Sequence, residues 1–127
     1  TDNKTYDLLT TRTVKDFVIA QGTSGSWKYR KWNSGIAECW ISVRSSGSPD
    51  SLGNAGNIYA MVYSRFPFDF VSAPTVIASG WVNSENYKCP TDGSKSSATY
   101  GIVHMVTKDF SGAQAVGGSA YFIGTLA

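Results

Sequence analysis

The 127-residue chain is poor in the residue types from which most active sites are built. It has one histidine, two cysteines and a charged fraction of only 16%. A catalytic triad or a four-ligand zinc site needs partners at a workable spacing, and His104, Cys39 and Cys89 are isolated from one another in the sequence. We therefore expect no catalytic residue, no metal site, no cofactor and no enzymatic activity.

Long apolar runs and concentrated basic charge are also missing. There is no run of 18 apolar residues, so the sequence predicts no membrane insertion. The formal net charge is +2, and the lysines and arginines are spread thinly along the chain. Without a basic stripe, nucleic acid is a poor expectation for a partner.

The chain is rich in glycine, tyrosine and residues that alternate along short segments. Residues 36–44 alternate with period two, which indicates a strand, and residues 27–32 do the same. Asn33, Ser34 and Gly35 lie between the two segments and predict a hairpin turn. Further strands are predicted at 17–20, 58–66, 75–78, 98–106 and 119–126, whereas glycine- and serine-rich loops are predicted at 45–57 and 82–97. Since no segment has convincing helical periodicity, the fold class is all-β: an antiparallel β-sandwich of six or seven strands.

The first 15 residues are mostly polar, and the strand pattern begins at Asp16. Residues 1–15 are therefore predicted to be a connector from an upstream shaft, and residues 16–127 one β-sandwich head domain.

Two segments resemble a known family. Residues 22–40 form a glycine-rich turn followed by W-x-Y-x-K-W-x-S-G-x-A-E-C-W, and residues 66–76 read F-P-x-x-F-x-x-x-P-x-V. This pattern resembles the carboxyl-terminal head, or receptor-binding domain, of tail-fibre and baseplate proteins from phages and prophages of Firmicutes. The chain is also similar to the six-stranded sandwich of H-type lectins.

The resemblance implies a homotrimer at the tip of a phage tail, in a virion assembled in the bacterial cytoplasm. It implies adhesion to a host cell-wall polysaccharide or another surface glycan, with upstream tail or baseplate proteins as further partners. In a reducing cytoplasm Cys39 and Cys89 are expected to remain thiols, one of them buried.

The candidate site residues divide into two groups, each built around aromatic side chains. The hairpin residues are predicted to pack in the core or between subunits, because aromatic rings bury large apolar areas; they are Trp27, Tyr29, Trp32, Glu38 and Trp40. Glu38 is expected to pair with Arg30 or Arg44 across strands rather than to act in catalysis. The second group offers rings, amides and a carboxylate to a sugar at the loop after Gly80, and comprises Trp81, Asn83, Asn86, Tyr87 and Asp92.

Two other functions remain open at this point. The chain could be a purely structural, trimerising tail component, or a glycan-degrading depolymerase, which polysaccharide hydrolysis dependent on Glu38 or Asp92 would favour. The loop at 45–57, with Asp50 and Asn54, is a rival binding site that lacks an aromatic residue.

Overall fold

The structure is a computed structural model that describes residues 15–47, 50–51, 57–83, 88–107 and 114–127. The predicted connector at 1–15 lies outside the described residues except for Lys15. Asn86 and Tyr87 of the predicted sugar site also lie outside them, as does most of the rival loop at 45–57.

The described residues form strands and turns, and none of them is helical, which confirms the all-β prediction. The strands are β1 (Val18–Ser24), β2 (Trp27–Trp32), β3 (Ile36–Gly47), β4 (Asp50–Ser51), β5 (Asn57–Arg65), β6 (Thr75–Ala78), β7 (Gly80–Val82), β8 (Lys88–Cys89), β9 (Thr91–Asp92), β10 (Tyr100–Thr107) and β11 (Gln114–Thr125). Several of them are only two or three residues long and lie where the sequence predicted loops. The predicted loop at 82–97 thus contains β8 and β9, and the last strand begins at Gln114 rather than Ser119.

The strands form two antiparallel sheets. The large sheet has seven strands in the order β1-β2-β3-β11-β7-β8, with β6 also paired to β11. The small sheet has four strands in the order β4-β5-β10-β9. Because β3 and β11 are paired over their full lengths, they form the centre of the large sheet.

The predicted hairpin of β2 and β3 is present, and β1 joins it through a second tight turn. Ser24 pairs with Trp27, so only Gly25 and Ser26 connect β1 to β2, and Gly25 has a φ of 60°. Glycine adopts this conformation without the steric cost that a side chain would bring. Strand β1 therefore runs through Ser24, beyond the four-residue segment that the sequence predicted.

The core lies between the sheets and is dominated by aromatic rings. Trp27 of β2 packs edge-on against Phe66 and Phe122, with ring centroids 5.4 and 5.6 Å away. The Tyr63 ring contacts both Trp27 and Phe122, at centroid distances of 6.0 and 5.8 Å. Phe122 itself is completely buried. Burying large aromatic rings contributes to the hydrophobic stabilisation of the domain.

Strand β11 changes partner at Gly118. Its residues after this point pair with β6 and those before it pair with β7. A β-carbon on Gly118 would lie 1.9 Å from the carbonyl oxygen of Ser79, which connects β6 to β7. Only glycine lets the two backbones approach this closely.

Candidate functional site

One row of side chains crosses the face of the large sheet that is turned away from the core, called the outer face below. Thr23, Lys28, Trp40, Tyr121 and Ile77 are directly paired from strand to strand across β1, β2, β3, β11 and β6. Directly paired residues project from the same face of a sheet. With strands about 4.8 Å apart, the row is about 19 Å long. The outer face is therefore a surface long enough to contact an extended ligand.

Glu38 is the centre of a polar cluster beside this row. Although Glu38 is only 8% exposed, each carboxylate oxygen has a donor from its own chain. Trp32 Nε1 donates a hydrogen bond to Oε1 at 2.9 Å, and the Tyr121 hydroxyl donates one to Oε2. A carboxylate shielded from water needs such donors, because an unpaired buried charge is costly.

Arg30 completes the cluster. Its Nε lies 3.1 Å from Glu38 Oε1, which confirms the predicted cross-strand ion pair. The Nε–H group of Arg30 makes no hydrogen bond to this oxygen, so the contact is an ion pair without a hydrogen bond. The guanidinium also lies over the rings of Trp32 and Trp40, 5.8 and 5.4 Å from their centroids. Cation–π contacts of this kind hold both rings against the charged group.

Tyr121 is held in its protonated form by the same cluster. Burial, together with the hydrogen bond to Glu38 and its negative charge, raises the pKa of Tyr121 from 10.0 to about 12. The Tyr121 ring also lies 6.3 Å from the Trp40 ring at an angle of 31°. The phenol therefore donates to Glu38 while its ring extends the aromatic surface of Trp40.

Two concavities flank Trp40 on the outer face. The first, called the Trp40 groove, has a volume of about 580 Å³ and is lined by Arg30, Trp40, Tyr121, alanine and isoleucine side chains and the serines Ser42, Ser79 and Ser119. The second, called the Lys28 recess, has a volume of about 390 Å³ and is lined by Gln21, Gly22, Thr23, Lys28, Tyr29, Arg30 and Trp40. Both volumes lie within the usual range for small-molecule sites. Trp40 and Arg30 border both concavities and form the boundary between them.

The structure divides the residues that were predicted to pack in the core or between subunits. Trp27 and Tyr29 lie on the inner face, where Trp27 is buried and Tyr29 packs against the core. Trp32, Glu38 and Trp40 lie on the outer face, in or beside the cluster just described. A contact of these three residues with a neighbouring subunit stays a prediction.

Of the sugar site predicted at the loop after Gly80, the structure describes Trp81, Asn83 and Asp92. Trp81 lies in β7 and is only 9% exposed, so little of its ring surface is open to a ligand. Asn83 is exposed with a φ of 70°, and its N–H donates to the carbonyl oxygen of Ala115 at 2.7 Å. Asp92 is exposed and accepts hydrogen bonds from the hydroxyl and the N–H of Ser94, which lower its pKa. A ligand at this loop stays a prediction.

Sequence reasoning did not identify Tyr121 and Ile77 as part of a site. Both are defined by register: Tyr121 pairs with Trp40 on one side and with Ile77 on the other. The alternation of the last strand was the available signal, but the order of strands in the sheet was not. Ile77 is 66% exposed at the end of the row.

Within the described ranges, no three His, Cys, Asp or Glu side chains are grouped so that they could hold a metal ion. No helix among the described residues is long and apolar enough to span a membrane. Cys39 is buried and Cys89 partly buried, both as thiols, and burial raises the pKa of Cys39 to about 12.

Comparison with solved structures identifies proteins of the same fold. The chain is similar to an N-truncated R1-type pyocin tail fibre, with 15% sequence identity and a TM-score of 0.56, over 98% of this chain and 97% of that one. It is also similar to a carboxyl-terminal fragment of the R2 pyocin fibre of P. aeruginosa, with 16% identity and a TM-score of 0.52, over 98% of this chain and 29% of that one. No protein-family model matches the chain, and no curated protein matches it. At these identities the likeness establishes the fold alone: an all-β architecture shared with the pyocin tail fibres.

Proposed function

We propose that this chain is the receptor-binding head domain of a phage tail fibre or of a related tail-like particle, and that it holds a bacterial surface glycan without altering it. The observation that carries this proposal is the Trp40 groove on the outer face, where Trp40 and Tyr121 lie beside the Arg30–Glu38 pair. The shared fold with pyocin tail fibres supports the setting at the tip of a tail.

The groove combines two kinds of groups that suit a sugar. Ring faces contact the C–H surfaces of a pyranose, and placed polar groups bind its hydroxyls. Aromatic surface comes from Trp40 and Tyr121, and hydroxyls come from Ser42 and Ser119, whose oxygens are 2.8 Å apart. Because the cluster around Glu38 fixes Arg30 and Tyr121 in place, little side-chain order has to be gained when a ligand binds.

Assembly as a homotrimer attached to upstream tail or baseplate proteins belongs to the same proposal. It is supported by exposed apolar residues at the start of the domain: Phe17 is 52% exposed and Ile19 is 58% exposed, both in or next to the edge strand β1. Apolar side chains at a sheet edge favour contact with another chain.

The test is binding of the chain to immobilised surface polysaccharides and to intact bacteria, with two matched substitutions. Trp40→Ala removes the central ring of the groove, whereas Tyr100→Ala removes an exposed aromatic residue of the small sheet, which is 41% exposed and lies away from the groove. We expect Trp40→Ala to abolish binding and Tyr100→Ala to leave it unchanged. Equal binding by both variants would overturn the proposal, as would the release of new sugar ends from the polysaccharide.

A second candidate, a purely structural trimerising component, is favoured by one observation. Ile77 is 66% exposed at the end of the same row, and a neighbouring subunit could cover it. Under this function, Trp40→Ala would convert a trimer to monomers in light scattering, and no polysaccharide would bind to either form.

A further inference from the structure

We infer that the glycan held on the outer face is acidic. One sugar ring of the glycan lies against Trp40, and a carboxylate or phosphate group on that sugar lies in the Lys28 recess. This inference rests on the proposed function and specifies the chemical class of its ligand. It is carried by the different chemistry of the two concavities that Trp40 separates.

The two concavities differ in the side chains that line them. On one side of Trp40, the groove is largely apolar, with Ile77, Ala78 and Ala120 in its wall. On the other side, the recess presents the polar side chains of Gln21 and Thr23 together with Lys28 and Arg30, and none of the described residues that line it is acidic. Because Arg30 borders both concavities, Lys28 is the charged residue that distinguishes them. A ligand that crosses Trp40 therefore meets a largely apolar surface at one end and the additional positive charge of Lys28 at the other.

Glu38 balances the charge of Arg30 but not that of Lys28. Its two carboxylate oxygens are directed at Trp32, Tyr121 and the Nε of Arg30, and the residue is 8% exposed. One carboxylate balances one guanidinium, so Lys28 leaves an excess positive charge on this part of the outer face. Lys28 is exposed, and among the described acidic residues none lies within ion-pair distance of it.

The positions of Lys28 and Trp40 fix how such a ligand would bind. They are paired directly across β2 and β3, so their side chains leave the sheet side by side. In directly paired residues the β-carbons are about 5 Å apart, which is within the reach of a lysine side chain. An acidic substituent on a ring stacked at Trp40 would then be within contact distance of the Lys28 ammonium group. Ammonium and guanidinium groups both bind carboxylates and phosphates, so this arrangement favours an acidic sugar over a neutral one.

The experiment compares ligands that differ only in charge. Binding of oligogalacturonate, which has one carboxylate per ring, is measured calorimetrically against its fully methyl-esterified form, which keeps the rings and loses the charge. A poly(glycerol phosphate) chain tests the phosphate source of the same chemistry. Each titration is made at 0.05 and at about 0.5 M NaCl, because contacts between exposed charges are screened by salt.

Two lysine variants are compared with the wild-type chain. Lys28→Met keeps most of the side-chain stem and removes the charge, and Lys95→Met does the same at an exposed turn that lies outside both concavities. We expect an acidic ligand to bind at least tenfold more tightly than the neutral ester at low salt. Lys28→Met should weaken acid binding by about fivefold, equivalent to about 1 kcal/mol for one exposed ion pair, and should reduce its salt dependence. Lys95→Met should change neither quantity.

The outcomes separate this inference from the function on which it rests. Equal binding of acid and ester, or failure of both anionic ligands to bind, would overturn the acidic-ligand inference while Trp40-dependent adhesion to bacteria stands. Loss of Trp40-dependent adhesion itself would overturn the proposed function. If Lys28→Met or Trp40→Ala changed the oligomeric state without changing ligand binding, the occupant of the outer face would be a second copy of the chain, and the inference would be wrong.

Discussion

Replacing Glu38 with alanine should destabilise the domain much more than replacing it with glutamine. The alanine variant removes the acceptor of two hydrogen bonds, from Trp32 Nε1 and from the Tyr121 hydroxyl, and the ionic partner of Arg30. A hydrogen bond to a charged group contributes about 1.5–3 kcal/mol, and the lower value applies here because water can reach Trp32 and Tyr121 once the carboxylate is gone. The ion pair adds at most about 1 kcal/mol, since the Arg30 side chain is 38% exposed. The expected loss for Glu38→Ala is therefore about 3–4 kcal/mol.

Glutamine keeps the shape of the cluster and most of its hydrogen bonds. Its amide oxygen can still accept from Trp32 Nε1, and its amide NH₂ can donate to the Tyr121 hydroxyl, which accepts as well as donates. Only the charge is lost, so Glu38→Gln should cost about 1 kcal/mol.

The assay is urea unfolding followed by tryptophan fluorescence, with Tyr121→Phe and the double variant completing a thermodynamic cycle. Glu38 and Tyr121 should be coupled by about 1.5 kcal/mol. The control is Asp69→Asn, which breaks an exposed pair with Arg65 and should cost less than about 0.5 kcal/mol. If Glu38→Ala cost no more than Glu38→Gln, or no more than the Asp69 control, our account of the cluster would be refuted.

Two further predictions concern the close approach of Gly118 to Ser79 and the ionisation of Tyr121. Gly118→Ala should cost more than about 3 kcal/mol or prevent folding, because the new β-carbon would overlap the Ser79 carbonyl oxygen. Gly25→Ala should cost about 1–2 kcal/mol in the same urea assay, because its β-carbon meets no atom within 4 Å but its φ is +60°. Equal costs for the two variants would contradict this ranking. Because the pKa of Tyr121 rises from its ordinary value of 10.0 to about 12 in the fold, the unfolded state loses its proton first, and stability should fall as the pH rises from about 10 to about 12. Tyr121→Phe should make that decline shallower when urea midpoints at pH 9 and 11 are compared, and an unchanged decline would show that Tyr121 is not the responsible group.

Local pattern was sufficient to predict the strands in which side chains alternate. The β2–β3 hairpin, the position of Cys39 on its buried face and the pair between Glu38 and Arg30 all follow from period two and from the turn at Gly35. The prolines were informative in the same way: β6 begins directly after Pro74, which cannot donate a ladder hydrogen bond.

Long-range pairing could not be predicted in this way. The two-residue strands β8 and β9 are too short to have a period, and they exist only because β7 and β10 lie next to them. The same limit applies to the candidate site: Tyr121 is 81 residues from Trp40 in sequence, and only the pairing of β11 with β3 brings their rings together. The burial of Trp81 in β7 could not be read from its position before a polar loop either, because it depends on the pairing of β7 with β11 and β8.

The composition of the cluster bears on which of the two functions the outer face serves. A surface that only had to be hidden between subunits would need apolar residues, because replacing a shielded ion pair with apolar side chains of similar size is often neutral or stabilising. Glu38 and Arg30 are instead retained under two tryptophans and a tyrosine, and every oxygen of the carboxylate is satisfied within one chain. Such an arrangement contributes little to stability compared with an apolar one, but it fixes the position of Arg30 and of the Trp40 and Tyr121 rings before any partner arrives. Fixed positions are of value to a site that must recognise a ligand, because they lower the entropy lost on binding. The composition of the cluster therefore favours the recognition function that we propose over burial against a sister subunit.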